Sequence, residues 1–194
     1  MAKLLDERHA ALLRAVATVL QGLGFEVHVE YTFNIWGERG SIDILAWHPL
    51  FRATLPIEVK TRLVDLQDLF ATTGRKRRLL AAICRAESWE SVAAASLIVL
   101  PEEGWARSGV RKFAPLFDTA FPARTVEVRQ WLHRPSGDLR GIWFFANDRP
   151  GSVIRKPGGP LRVRPPRVGD SRRDFGLSRP IPGSKTANEA AAAG

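Results

Sequence analysis

The sequence predicts an α/β fold: one mixed β-sheet, built from an antiparallel three-strand meander plus a parallel strand, flanked by helices. Three observations carry this prediction: a helical apolar repeat over residues 4–21, three period-two segments between residues 25 and 60, and a near-continuous apolar run at 93–100.

Leu5, His9, Leu12, Val16, Val19 and Leu20 recur at helical spacing and define one face of an amphipathic helix, which Gly22 and Gly24 stop. Phe25, Val27, Val29, Tyr31 and Phe33 then alternate with polar residues, the signature of a strand with one apolar face. Gly37 to Gly40 reads as a turn. Ile42, Ile44 and Ala46 form a second strand, and Leu55, Ile57 and Val59 a third, with Pro49 breaking the loop at 47–52. A helix follows from Leu63 to Arg85, with Gly74 as a point of interruption because glycine costs about 1 kcal/mol relative to alanine there. Ala93 to Leu100 suits a strand covered on both faces. A helix around Val110 to Phe117 and two late strands, Thr125 to Leu132 and Gly141 to Phe145, complete the unit.

Composition narrows the function classes. The 194 residues are 45% hydrophobic and 25% charged, which suits one globular domain, read as residues 1–148. No apolar run reaches membrane-spanning length, and Lys3, Asp6, Glu7 and Arg8 interrupt the amino terminus where a signal would need an apolar core. With a single cysteine, Cys84, no intramolecular disulfide forms, so the expected compartment is a reducing cytoplasm. Net charge is +9, and nine basic against three acidic residues lie from Gly151 onward. That Pro-, Gly- and Arg-rich stretch reads as a disordered basic tail, 149–194, either solubilising or loosely bound to nucleic acid. The basic balance favours a polyanion such as nucleic acid as partner, without saying which.

The chemistry lies on the second and third strands. If Asp43 faces Glu58, opposite residues have numbers summing to 101, and the turn centres between Leu50 and Phe51, inside the loop marked by Pro49. The two carboxylates then lie about 5 Å apart at Cβ. Lys60 shares the face of Glu58, because side chains repeat every two residues along a strand. Paired carboxylates at this separation repel unless a cation lies between them, and hard oxygen ligands suit Mg²⁺ or Mn²⁺. With an ammonium alongside to orient or deprotonate a nucleophile, these are the parts of phosphodiester hydrolysis. The alternative is an exposed cross-strand salt bridge between either acid and Lys60.

Asp43, the spacer, and Glu58-Val59-Lys60 on the next strand, between two helices, resemble the PD-(D/E)XK nuclease superfamily, whose fold is restriction-endonuclease-like. The resemblance covers roughly residues 4–105. Gly37-Glu38-Arg39-Gly40-Ser41-Ile42-Asp43 with Ile57-Glu58-Val59-Lys60-Thr61 is also similar to a domain of actinobacterial proteins, sometimes attached to helix-turn-helix regulators. It implies Asp43 and Glu58 as metal ligands and Lys60 as the catalytic lysine of a Mg²⁺-dependent deoxyribonuclease, endonuclease or exonuclease. Ile42 stands where the motif has proline. Gln67 and Lys76 are similar to the glutamine and basic residues that members place near the phosphate. The resemblance also admits a homodimer, and an inactive nuclease-like module that binds DNA or a regulatory protein partner.

Other residues stay open between two roles. With the first turn centred between Gly37 and Glu38, Thr32 opposes Asp43, and Glu30 becomes a diagonal neighbour: a third carboxylate or a solvated strand residue. Glu7 lies nearly opposite the apolar stripe of its helix and reads as surface charge. Glu38 and Arg39 suit a local ion pair or a substrate contact. Of Arg75, Lys76, Arg77 and Arg78, four consecutive cations spread round a helix, one or two can face the site; Arg75 and Lys76 are candidate phosphate contacts. Trp36, Trp47, Trp131 and Trp143 read as core or rim packing.

Overall fold

The computed structural model describes residues 2–146, and the tail at 149–194 and the domain boundary at 148 lie outside the described residues. Ten elements follow in order: α1 (Ala2–Gly22), β1 (Glu26–Ile35), β2 (Glu38–His48), β3 (Ala53–Val59), α2 (Leu66–Ala86), β4 (Ala93–Pro101), α3 (Gly104–Lys112), α4 (Ala114–Ala120), α5 (Thr125–His133) and β5 (Asp138–Phe145). The five strands form one sheet in the order β1-β2-β3-β4-β5. β1, β2 and β3 are the expected antiparallel meander, and β4 and β5 join parallel to β3 and to each other. The fold is therefore α/β on a mixed sheet, as the residue pattern requires.

Parity along the central strands separates two helical layers. Leu55, Ile57 and Val59 of β3, Leu97 and Val99 of β4 and Trp143 of β5 pack under α1 and α5. Ile98, Leu100, Ile142 and Phe144 point the other way, under α2, α3 and α4. All seven residues of β3 are buried, so its polar members, Thr54 and Glu58, must find partners inside the protein.

Three elements differ from the sequence reading. Thr125–His133 is helix α5, not a strand. Val126 and Val128 would share a strand face, yet Val126 is exposed and Val128 buried; Val128, Trp131 and Leu132 instead make a helical stripe. The Arg124 backbone N–H donates to Glu127 Oε2 at 3.1 Å, which starts the helix despite its β-branched residues. The helix expected at 110–117 is two, α3 and α4, parted at Phe113; Pro115 lacks the N–H that would bond back to Arg111. Gly74 does not interrupt α2, which runs unbroken and is capped by Asp65, whose Oδ1 accepts the Asp68 N–H at 2.9 Å.

The first hairpin also turns one residue earlier than expected. Its partners have numbers summing to 73, so the two-residue turn is Trp36–Gly37 and both turn residues have positive φ, +52° and +84°. A turn of this type favours asparagine then glycine. Trp36 is 76% exposed, so little packing offsets its left-handed backbone. Trp36→Asn is accordingly expected to raise stability by about 1 kcal/mol, read as a higher urea midpoint at unchanged slope. The hairpin is fastened to α2 by Arg78, whose guanidinium donates to both Glu38 oxygens at 3.0 and 2.9 Å. Tyr31 adds a second tie: its hydroxyl donates to Glu87 Oε1 at 2.7 Å, and burial, then that acceptor, pushes its pKa up to about 12.

Candidate active site

β2 and β3 pair from Ile44↔Ile57 to His48↔Ala53, every pair summing to 101, the register inferred from Asp43 and Glu58. The backbone ladder stops at Ile44, and the next donor on β3 is taken by a side chain: the Val59 N–H donates to Asp43 Oδ2 at 2.7 Å. Asp43 is thereby held against the end of β3.

A backbone irregularity aims it there. Pairing of β1 with β2 includes Val29↔Ile44 and Tyr31↔Ile42 but omits the intervening pair, Glu30 and Asp43, and Glu30 has φ +53°. Across this break the hairpin changes layers: Ile42 packs with Leu79 and Ile83 of α2, whereas Ile44 packs with α1. The register is the same on both sides of the break, so no residue is inserted; the left-handed backbone of Glu30 is the local irregularity, of the sort that collects at functional sites.

Glu58 is the buried centre of the cluster, 4% exposed. Its Oε1 accepts from the Lys76 ammonium of α2, itself buried, and Lys60 Nζ stands 3.5 Å from Oε2. Burial, then the negative charge of Asp43, pushes the Glu58 carboxyl above the usual carboxylate range; Lys76 and Lys60 oppose the shift without cancelling it. Lys60 keeps about a third of its side chain exposed, and its backbone N–H donates to the Val99 carbonyl at 2.9 Å, extending the β3–β4 ladder beyond Val59.

A cleft of about 170 Å³ opens beside these groups, lined by Glu58 and Lys60, by Arg62 to Asp65 of the connecting loop, and by Asp68, Leu69 and Thr72 of α2. Asp65, Asp68, Leu69, Thr72 and Lys76 repeat at three- and four-residue intervals along one side of α2, of which Leu69 and Lys76 are buried against the sheet and Asp65 and Asp68 are exposed at the cleft.

Of the candidates named from sequence, Asp43, Glu58, Lys60 and Lys76 come together. Gln67 does not: it is exposed and half a helical turn round α2 from Lys76, because nine residues at 100° each bring it to the far side. Arg75 is exposed near the Glu38 carboxylate, and Arg39 sits exposed on β2 opposite Asn34. By the observed register Glu30, not Thr32, stands opposite Asp43, but it is exposed; among the described residues no three His, Cys, Asp or Glu side chains form a metal-holding group. Glu38 has its partner on α2 rather than in Arg39.

Arg62, Asp65, Asp68 and Thr72 also line the cleft, and none of them belongs to the motif read from the sequence. The signal available was the N-cap: starting the helix after Asp65 phases Asp68 and Thr72 with Lys76.

Comparison with protein-family models, curated proteins and solved structures gave no match.

Among the described residues no helix is long and apolar enough to cross a membrane.

Proposed function

We propose that this chain is a divalent-cation-dependent nuclease of the PD-(D/E)XK type acting on DNA phosphodiester bonds. The supporting observation is the convergence of Asp43, Glu58 and Lys60 at the end of β3, beside an open cleft. The donor set fits Mg²⁺ or Mn²⁺ in kind: two carboxylates from adjacent strands, with the Glu58 carboxyl pushed up by burial and then by the negative charge of Asp43, against the opposing pull of Lys76 and Lys60. Asp43 and Glu58 would hold the ion, and Glu58 would exchange part of its contact with the lysines for it. A cation held there supplies Lewis acidity toward phosphate oxygens.

The chain's own groups do the rest. Lys60, partly exposed at the cleft, donates to a phosphate oxygen and offsets the charge that develops as water attacks phosphorus. A new P–O bond forms, the bridging P–O bond breaks, and the departing oxygen takes up a proton as the water loses one. Arg62 at the mouth, and the excess of 29 basic over 20 acidic residues, favour a polyanionic strand.

One observation favours a second reading, a nucleic-acid-binding module that does not cut: both Glu58 oxygens already face ammonium groups, and Lys76 is buried against one of them. Titration calorimetry with Mn²⁺ separates the two. The nuclease reading expects saturable binding lost in Asp43→Asn; absence of binding, with retained salt-sensitive DNA retention, would replace it by the second.

A further inference from the structure

We propose a second anion site on the opposite side of α2, a hollow that receives a phosphoryl group between Arg77, Arg140 and Ser96. The hollow has a volume of about 190 Å³ and is also lined by Phe70, Thr73, Gly74, Ala120 and Phe121. Phe70, Thr73, Gly74 and Arg77 recur at three- and four-residue intervals, a different face of α2 from the one holding Lys76. The helix thus separates this hollow from the Asp43–Glu58 cleft.

Three observations point to an oxyanion. Arg77 and Arg140 line one small hollow, and neither forms a salt bridge among the described residues. Two guanidinium groups facing one space without a carboxylate repel, and a tetrahedral dianion relieves that repulsion with several charge-assisted hydrogen bonds. Ser96 is 8% exposed, lines the same hollow, and makes no side-chain hydrogen bond among the described residues, so its hydroxyl is available to a ligand there. In the parallel ladder Ser96 is the register partner of Arg140, so hydroxyl and guanidinium rise side by side from β4 and β5. The Thr73 hydroxyl already donates to the Leu69 carbonyl at 2.8 Å, which leaves Ser96 as the neutral donor. Phe70 and Phe121 line the hollow with apolar surface beside these polar groups.

A phosphoryl group has two sources, a free phosphate-bearing small molecule or the backbone of a nucleic acid. The test uses the full chain with inorganic phosphate in one arm and duplex DNA in the other. If the source is small, phosphate titrated against ¹⁵N-labelled protein shifts the Ser96 and Arg140 amides saturably, and Arg77→Gln or Arg140→Gln weakens binding at least tenfold, Ser96→Ala severalfold. If the source is nucleic acid, phosphate alone binds weakly, and Arg140→Gln lowers the slope of log affinity against log salt by about one. An Arg140→Gln chain that folds normally and matches wild type in both arms overturns the site. Lys60→Ala should leave phosphate binding here unchanged, so the hollow and the nuclease reading fail separately.

Discussion

Lys60→Ala and Asp43→Asn are expected to lower Mg²⁺-dependent DNA cleavage by about 10²- to 10³-fold each, the usual cost of removing one group that meets developing charge. The two should differ in kind. Asp43→Asn weakens cation binding, so added Mn²⁺ restores part of its rate; Lys60→Ala leaves cation binding intact and is not restored. Gln67→Ala is expected to cleave like wild type, since Gln67 lies on the far side of α2. On the proposed nuclease reading, Glu58 is expected to set the acid limb of the rate profile. Its carboxyl titrates above the usual range, so activity should fall on acidification earlier than an ordinary glutamate would dictate. Cleavage assays on linear duplex and single-stranded DNA across pH check all of this. Undiminished cleavage by Lys60→Ala would remove the assigned chemistry.

Lys76→Met should be the most destabilising single change at the site. It strips the buried partner from a buried carboxylate, which costs roughly 3–5 kcal/mol when one member of such a pair is lost. Against a typical total of about 5–15 kcal/mol, that is a large share. The loss carries a pH signature. Because Glu58 binds its proton more tightly folded than unfolded, the resulting stabilisation is fully present below the unfolded carboxyl pKa and lost as pH rises through the folded one. Removing Lys76 raises the folded value further. The deficit should therefore be greatest near neutral pH and shrink on acidification, when a protonated Glu58 no longer needs the ammonium. Urea unfolding at several pH values measures it. A deficit that grows on acidification would contradict the pairing, and the double variant Glu58→Gln with Lys76→Met should recover most of the loss.

The bent hairpin links the two experiments. Asp43 reaches the Val59 N–H at the position where the β1–β2 ladder is broken, and across that same break Ile42 packs on α2 while Ile44 packs on α1. Position of the carboxylate and division of the core thus coincide at one local departure from regular pairing.

The sequence by itself determined the meander, the β2–β3 register and the common face of Asp43, Glu58 and Lys60. Strand alternation and a proline-marked loop are local, and a slip of one residue would turn Ile44, Ile57 and Val59 out of the core. It could not rank the four cations of α2, which are equivalent in a linear pattern. Tertiary packing sorted them: Arg75 to solvent, Lys76 onto Glu58, Arg77 to the second hollow, Arg78 onto Glu38. The helix phase decides this, and that phase is fixed by the Asp65 cap and by Leu69, Leu79 and Ile83 against the sheet. α5 departs from the strand expected there for a related reason: Val126 and Val128 alternate as in a strand, and the Glu127 contact to the Arg124 N–H together with the docking of Val128, Trp131 and Leu132 against the α1 side of the sheet favours the helix.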